Sequence, residues 1–215
     1  MKEKTSPIKA LWQSCRKGVL LGAVLATLIF IGITAAGNLS AQAAFAGVSV
    51  NVRLSQTGSD RLKQELSARL EEEGLKGKLL LTDARLEAFE TREDLNTNYY
   101  ALQALLLLYE TQEIDMMLLD QIAMENFLRQ GICLDLRELF PEDRLAGLGS
   151  AVVYGKAGSQ AEAVPLVLDV TQLPFIREHA EAEGKIYLAF MENTPRLAAC
   201  RLLWDVITTW EEGTE

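Results

Sequence analysis

Residues 18–37, GVLLGAVLATLIFIGITAAG, carry no charged side chain, and this run constrains the chain more than any other stretch. At about 1.5 Å of rise per helical residue it reaches roughly 30 Å, the thickness of the hydrocarbon layer of a bilayer. The expectation is an N-terminal transmembrane helix over 18–37. Ahead of it stand Lys2, Lys4, Lys9, Arg16 and Lys17 against a single acid, Glu3. Cationic flanks stay on the cytoplasmic side, so residues 1–17 are expected as a cytoplasmic basic segment. The chain from residue 38 onward is expected outside the cell, as the extracellular part of a single-pass protein of the cell membrane.

The same segment can be read as a leader. Ala41-Gln42-Ala43 and Ala44-Phe45-Ala46 both have the small-x-small form of a signal-peptidase site. The apolar core of a leader is typically about 7 to 15 residues, and this run is longer and follows a long basic segment. Length favours an uncleaved signal anchor, whereas the triplets keep cleavage near Ala43 or Ala46 open. No Cys closely follows the run, so a lipoprotein anchor lacks its acceptor, and Cys15 falls on the cytoplasmic side as a free thiol.

Past a linker expected at 38–47, residues 48–215 suffice for one well-buried domain and are too few for two. Charge is split unevenly along the chain. Of 21 basic and 30 acidic residues, 5 and 1 precede residue 18, which leaves 16 against 29, or −13, on the exported part. Nucleic-acid surfaces need clustered Lys and Arg, so no nucleic-acid partner is expected. Close adhesion to anionic lipid is disfavoured for the same reason. The excess acid is read as solubility outside the cell, with a cation or a basic partner as its other use. Cys133 and Cys200 are the only cysteines beyond the run. They are too few for a disulfide framework and are expected as two buried thiols; a bridge would need their Cα atoms within about 7 Å.

Along the exported part, 48–54 alternates apolar and polar residues as a half-buried strand does. Ser55-Gln-Thr-Gly58 follows as a turn, and Ser59 or Asp60 is expected to cap a helix whose Leu62, Leu66 and Leu70 recur at helical spacing up to Gly74. Residues 78–82 predict a second strand ending at Asp83. Residues 98–112 are apolar nearly all round and predict a buried helix. Residues 114–119 predict a third strand running into Asp120, and 121–129 a helix closed by Gly131. A β-α-β-α-β-α order predicts a mostly parallel sheet in a single three-layer α/β domain. Further on, 152–154 and 164–168 predict two short strands around a hairpin, with Pro165 at a strand start or edge. A helix near Pro174 is expected to be short. Residues 185–190 predict a last strand and 195–210 a final amphipathic helix.

Few reactive constellations are available. His179 is the only histidine, which removes a histidine-rich zinc site and any HExxH helix. No G-x-S-x-G elbow, P-loop or G-x-G-x-x-G fingerprint occurs, and Cys133 and Cys200 sit in apolar settings that suppress thiolate. His179, among Arg177, Glu178 and Glu181, is expected on the solvated surface, and Glu71, Glu72 and Glu73 as a solvated helix end. Neither an enzyme nor a cofactor is expected. In an open α/β sheet, ligands bind beyond the carboxyl ends of the strands. The candidate ligand-binding residues are therefore Ser55, Thr57 and Gly58 after the first strand, Asp83 after the second and Asp120 after the third, with Asp169, Asn193 and Thr194 after later ones. The plainer use of these residue types there is capping of the following helices.

The run Thr111-Gln-Glu-Ile-Asp-Met-Met-Leu-Leu-Asp120, then Phe127-Leu-Arg-Gln-Gly131 and Cys133-Leu-Asp-Leu-Arg-Glu-Leu139, resembles the first lobe of bacterial extracellular solute-binding proteins. Val153-Tyr-Gly155 and Val164-Pro-Leu-Val-Leu-Asp169 look like the return strand of that lobe. Ala189-Phe-Met-Glu-Asn-Thr-Pro195, with Ala198 and the final helix, is similar to its late strand, N-(S/T)-x and helix. The likeness spans 48–210. It implies one lobe of a periplasmic-binding-protein fold, of the type 2 class. A complete member has two lobes that close on ligand, and the roughly 15 residues between return and late strands leave no room for a second. The implied protein is a reduced, one-lobe, membrane-anchored form such as Gram-positive bacteria carry. Two functions follow. One is an accessory or scaffold domain that works by protein contact at the cell envelope, with an envelope protein as partner. The alternative is a reduced binding protein that holds a small molecule for an ABC transporter permease.

Overall fold

A computed structural model describes residues 43–84, 92–156 and 162–210, with the side chains of 92–100 excepted. The expected transmembrane helix at 18–37 and the basic segment before it lie outside the described residues. Among the described residues no helix is long and apolar enough to cross a membrane, and those residues form an α/β domain.

The first strand, β1 (Ala43–Val50), is buried along its whole length. It is followed by a two-residue strand β2 (Arg53–Leu54), helix α1 (Gln56–Glu72) and strand β3 (Lys78–Ala84). Next come α2 (Arg92–Glu110), β4 (Met116–Leu119), α3 (Gln121–Gln130) and α4 (Glu142–Leu148). The hairpin β5 (Val152–Gly155) and β6 (Val164–Asp169) leads into α5 (Pro174–His179), β7 (Ala180–Glu181), β8 (Tyr187–Phe190) and α6 (Leu197–Thr208). Six strands form one sheet in the order β3-β1-β4-β8-β6-β5, and β2 pairs with β7 in a separate ribbon.

This sheet is mixed, not mostly parallel. β1 runs parallel to β3 and β4, whereas β8 is antiparallel to both β4 and β6, and β5 is antiparallel to β6. The physical reason lies in the segment with α5 and β7, which stays at the carboxyl end of β6, so that β8 enters the gap between β4 and β6 from their carboxyl ends and runs against both. Short local strands cannot reveal that choice, because parallel and antiparallel strands buried on both faces read alike.

Alternation along the strands sends side chains to two cores. Phe45, Met116, Leu118, Leu188 and Phe190 meet Leu62, Leu66 and Leu70 of α1, Phe175 and Ile176 of α5, and Leu203 and Trp204 of α6. Val48, Val50, Met117, Leu119 and Ala189 meet Leu105 of α2 and Ala123, Met124 and Phe127 of α3 on the other face. Helices thus cover both faces, unequally. α2, expected to be buried, lies on the surface with Leu105 buried and Leu107 exposed. Its leucines ring the helix, and a helix on one face of a sheet can bury only one side.

The expected linker at 38–47 overlaps β1. Ala43, Phe45, Ala46 and Gly47 are paired with β3, and 48 is the sixth residue of the strand, not its start. Cys133 and Cys200 are free and buried in different cores, on opposite faces of the sheet.

Candidate functional site

The carboxyl ends of β1, β3, β4 and β6 lie at one end of the sheet, and register arranges them in a row. Ala84 pairs with Val50, Val50 with Leu119, Leu119 with Tyr187, and Tyr187 with Asp169. Asp83, Asp120 and Asp169 therefore share one end of the molecule. With strands about 4.8 Å apart, the four steps of that row span roughly 19 Å.

Each of these groups is built into local structure, apart from Asp83 and Thr57, which are exposed. Asp120 caps α3, accepting the Ala123 amide at 2.8 Å. Its other oxygen accepts from Asn51 Nδ2 at 3.0 Å. Asn51 stands directly after β1 with φ of 58°, the left-handed region that Asn tolerates better than most residues, and its amide donates to the Ala84 carbonyl. Asp169 accepts from the Thr171 hydroxyl at 2.6 Å and from Lys185 Nζ at 2.7 Å. Partial burial pushes its carboxyl up, but the bonds from Lys185 and Thr171 together outweigh burial and hold it below the ordinary carboxylate value.

Ser55 caps α1 by accepting the Gly58 amide at 3.0 Å. Its amide donates to the His179 carbonyl at 2.8 Å, and its Oγ lies 3.4 Å from His179 Nδ1. Gly58 is needed for close approach, since a Cβ there would stand 2.4 Å from His179 Cβ. His179, expected on the surface, is buried. Its ring packs against Phe175 and Trp210, with centroids 5.3 and 5.5 Å away. Arg61 lies over Trp210 and reaches Glu178, so charged neighbours close the cluster from outside. The contact ties the cap of α1 to the end of α5.

Asn193 and Thr194 are not part of this end. Because β8 runs against β4, they emerge at the opposite end of the sheet. There Thr194 Oγ1 donates to Asp115, a fully buried carboxylate at the start of β4. Arg196 Nε lies 2.8 Å from both Asp115 oxygens, and the Ala46 amide donates to one of them at 2.7 Å. Arg196 also donates to the Gln112 carbonyl, and Asn193 Nδ2 to the Tyr109 carbonyl. Asp115 and Arg196 were missed as a pair, although an acid inside the apolar segment 114–119 is itself a signal: a buried charge needs a partner.

Of the expected site residues, the structure gathers Asp83, Asp120 and Asp169 in one row, places Ser55, Thr57 and Gly58 at the start of α1, and puts Asn193 and Thr194 at the far end. No protein-family model, curated protein or solved structure matches the chain. What the site can do therefore follows from its own geometry. Among the described residues no group of three or more His, Cys, Asp or Glu is placed to hold a metal ion. Burial pushes the Cys133 thiol up to about 12 and raises Cys200 as well, which keeps both protonated and poor nucleophiles.

Proposed function

We propose that this domain is a non-catalytic module, derived from a solute-binding lobe, that acts by protein contact on the far side of a membrane. The observation that carries this reading is the engagement of the polar row. Ser55 and Asp120 cap helices, Asn51 braces Asp120, and Thr171 and Lys185 hold Asp169. A small-molecule site needs several convergent polar groups with capacity to spare. Large apolar side chains, by contrast, stand in solvent: Tyr154 is 60%, Leu107 58% and Ile122 49% exposed. Aromatic side chains such as Tyr154 are enriched at contact surfaces. The basic segment followed by the apolar run at 18–37 supports delivery across a membrane.

A thermal-shift series on the full chain against sugars, amino acids and other small metabolites tests the reading. No saturable stabilisation is expected. A reproducible shift that Asp120→Ala abolishes would instead favour a small-molecule module working with a transporter. In cells, a photo-crosslinking residue at Leu107 or Tyr154 should give a discrete adduct, and one at Glu71 on the solvated end of α1 should not.

A further inference from the structure

We infer that Ala44-Phe45-Ala46 is not a processing site, and that the mature chain keeps these three residues, so that any removal of a leader happens at or before the Ala43–Ala44 bond. The triplet has the sequence form of a peptidase site, yet it lies in β1, between β3 and β4 in the middle of one half of the sheet. Phe45 is fully buried in the core beneath α1 and α6. Ala46 is bound through both backbone groups: its carbonyl accepts the Asp115 amide at 2.8 Å, and its amide donates to the Asp115 carboxylate at 2.7 Å. Losing that amide removes a donor from a fully buried charge.

A cut after Ala46 has a second consequence. It creates an ammonium group at Gly47, where the chain is pressed so closely that a Cβ would lie 3.0 Å from both Leu81 Cδ2 and Met116 Cε. A charge among leucine and methionine side chains is strongly disfavoured. A cut after Ala43 keeps Phe45 in the core and leaves the Ala46 amide on the Asp115 carboxylate. The pairing of β1 with β3 shifts register between Ala43 and Phe45, and from Phe45↔Leu79 to Val50↔Ala84 the ladder is continuous.

Full-length chain expressed in an exporting bacterial host gives the test, with the N-terminus of the product read by intact mass and its folding by thermal denaturation. A companion variant, Ala41→Arg, spoils the first triplet and leaves only the second. In both, every product with a cooperative transition is expected to begin at or before Ala44. A product beginning at Gly47, with or without a transition, shows the second triplet to be cleaved and overturns the inference. A product beginning at Gly47 or later that unfolds cooperatively near the temperature of the longer chain overturns it.

Discussion

The two ends of the sheet treat their carboxylates in opposite ways. At one end Asp115 is withdrawn completely from water and answered by Arg196, Thr194 and the Ala46 amide, groups drawn from β1, β4 and the segment after β8. At the other, Asp120 is buried and Asp169 half-buried, and each serves as a cap: Asp120 holds the first turn of α3 and Asn51, Asp169 holds Thr171 and Lys185. The closed end buries a charge pair among groups from distant parts of the chain, whereas at the open end each carboxylate caps a helix or turn and is tied to one further side chain, Asn51 or Lys185. A polar row at the carboxyl ends of strands is thus not by itself a binding site.

The largest expected effect comes from breaking the closed end. Arg196→Ala leaves Asp115 buried without its cation and should cost about 3 to 5 kcal/mol, measured by denaturant unfolding. Asp120→Ala, which removes a helix cap from the open end, should cost about 1 to 2 kcal/mol. Equal losses at the two positions would erase the distinction. Acid titration of stability is smaller and sits at the open end. The Asp169 carboxyl is held below its ordinary value of 3.8 in the folded chain, so its contribution is present above about pH 4 and fades as pH falls through the folded value. Asp169→Asn should flatten that part of the profile. The smallest effect is expected at the thiols beside the closed end. Cys133 and Cys200 should resist iodoacetamide in the native chain, as peptide mass mapping would record, and become reactive in Arg196→Ala.

How much of this was legible depends on how far apart the partners are. The cap at Asp120 follows from its residue type directly before a helical pattern, and the hairpin of β5 and β6 from two short apolar runs around polar residues, whereas α1 starts at Gln56 under a Ser55 cap, inside the stretch that reads as a turn ahead of a cap at Ser59 or Asp60. The burial of His179 was hidden, because its immediate neighbours are charged and the ring that covers it, Trp210, comes from the far side of α6. Asn193 and Thr194 were placed at the wrong end for a related reason: their position depends on the direction of β8, which is settled by pairing with β4 and β6. The early part of β1 was obscured by composition, since the alanines at 43, 44 and 46 suit a peptidase site and a crowded central strand equally well.

The measurement that bears most directly on the polar row is native mass spectrometry of the full chain, purified without denaturation. With its carboxylates committed to helix caps and turns, the folded chain is predicted to carry the mass of the polypeptide and its processing state alone. A retained adduct of small-molecule size, released on unfolding and absent from Asp120→Ala, would contradict the account.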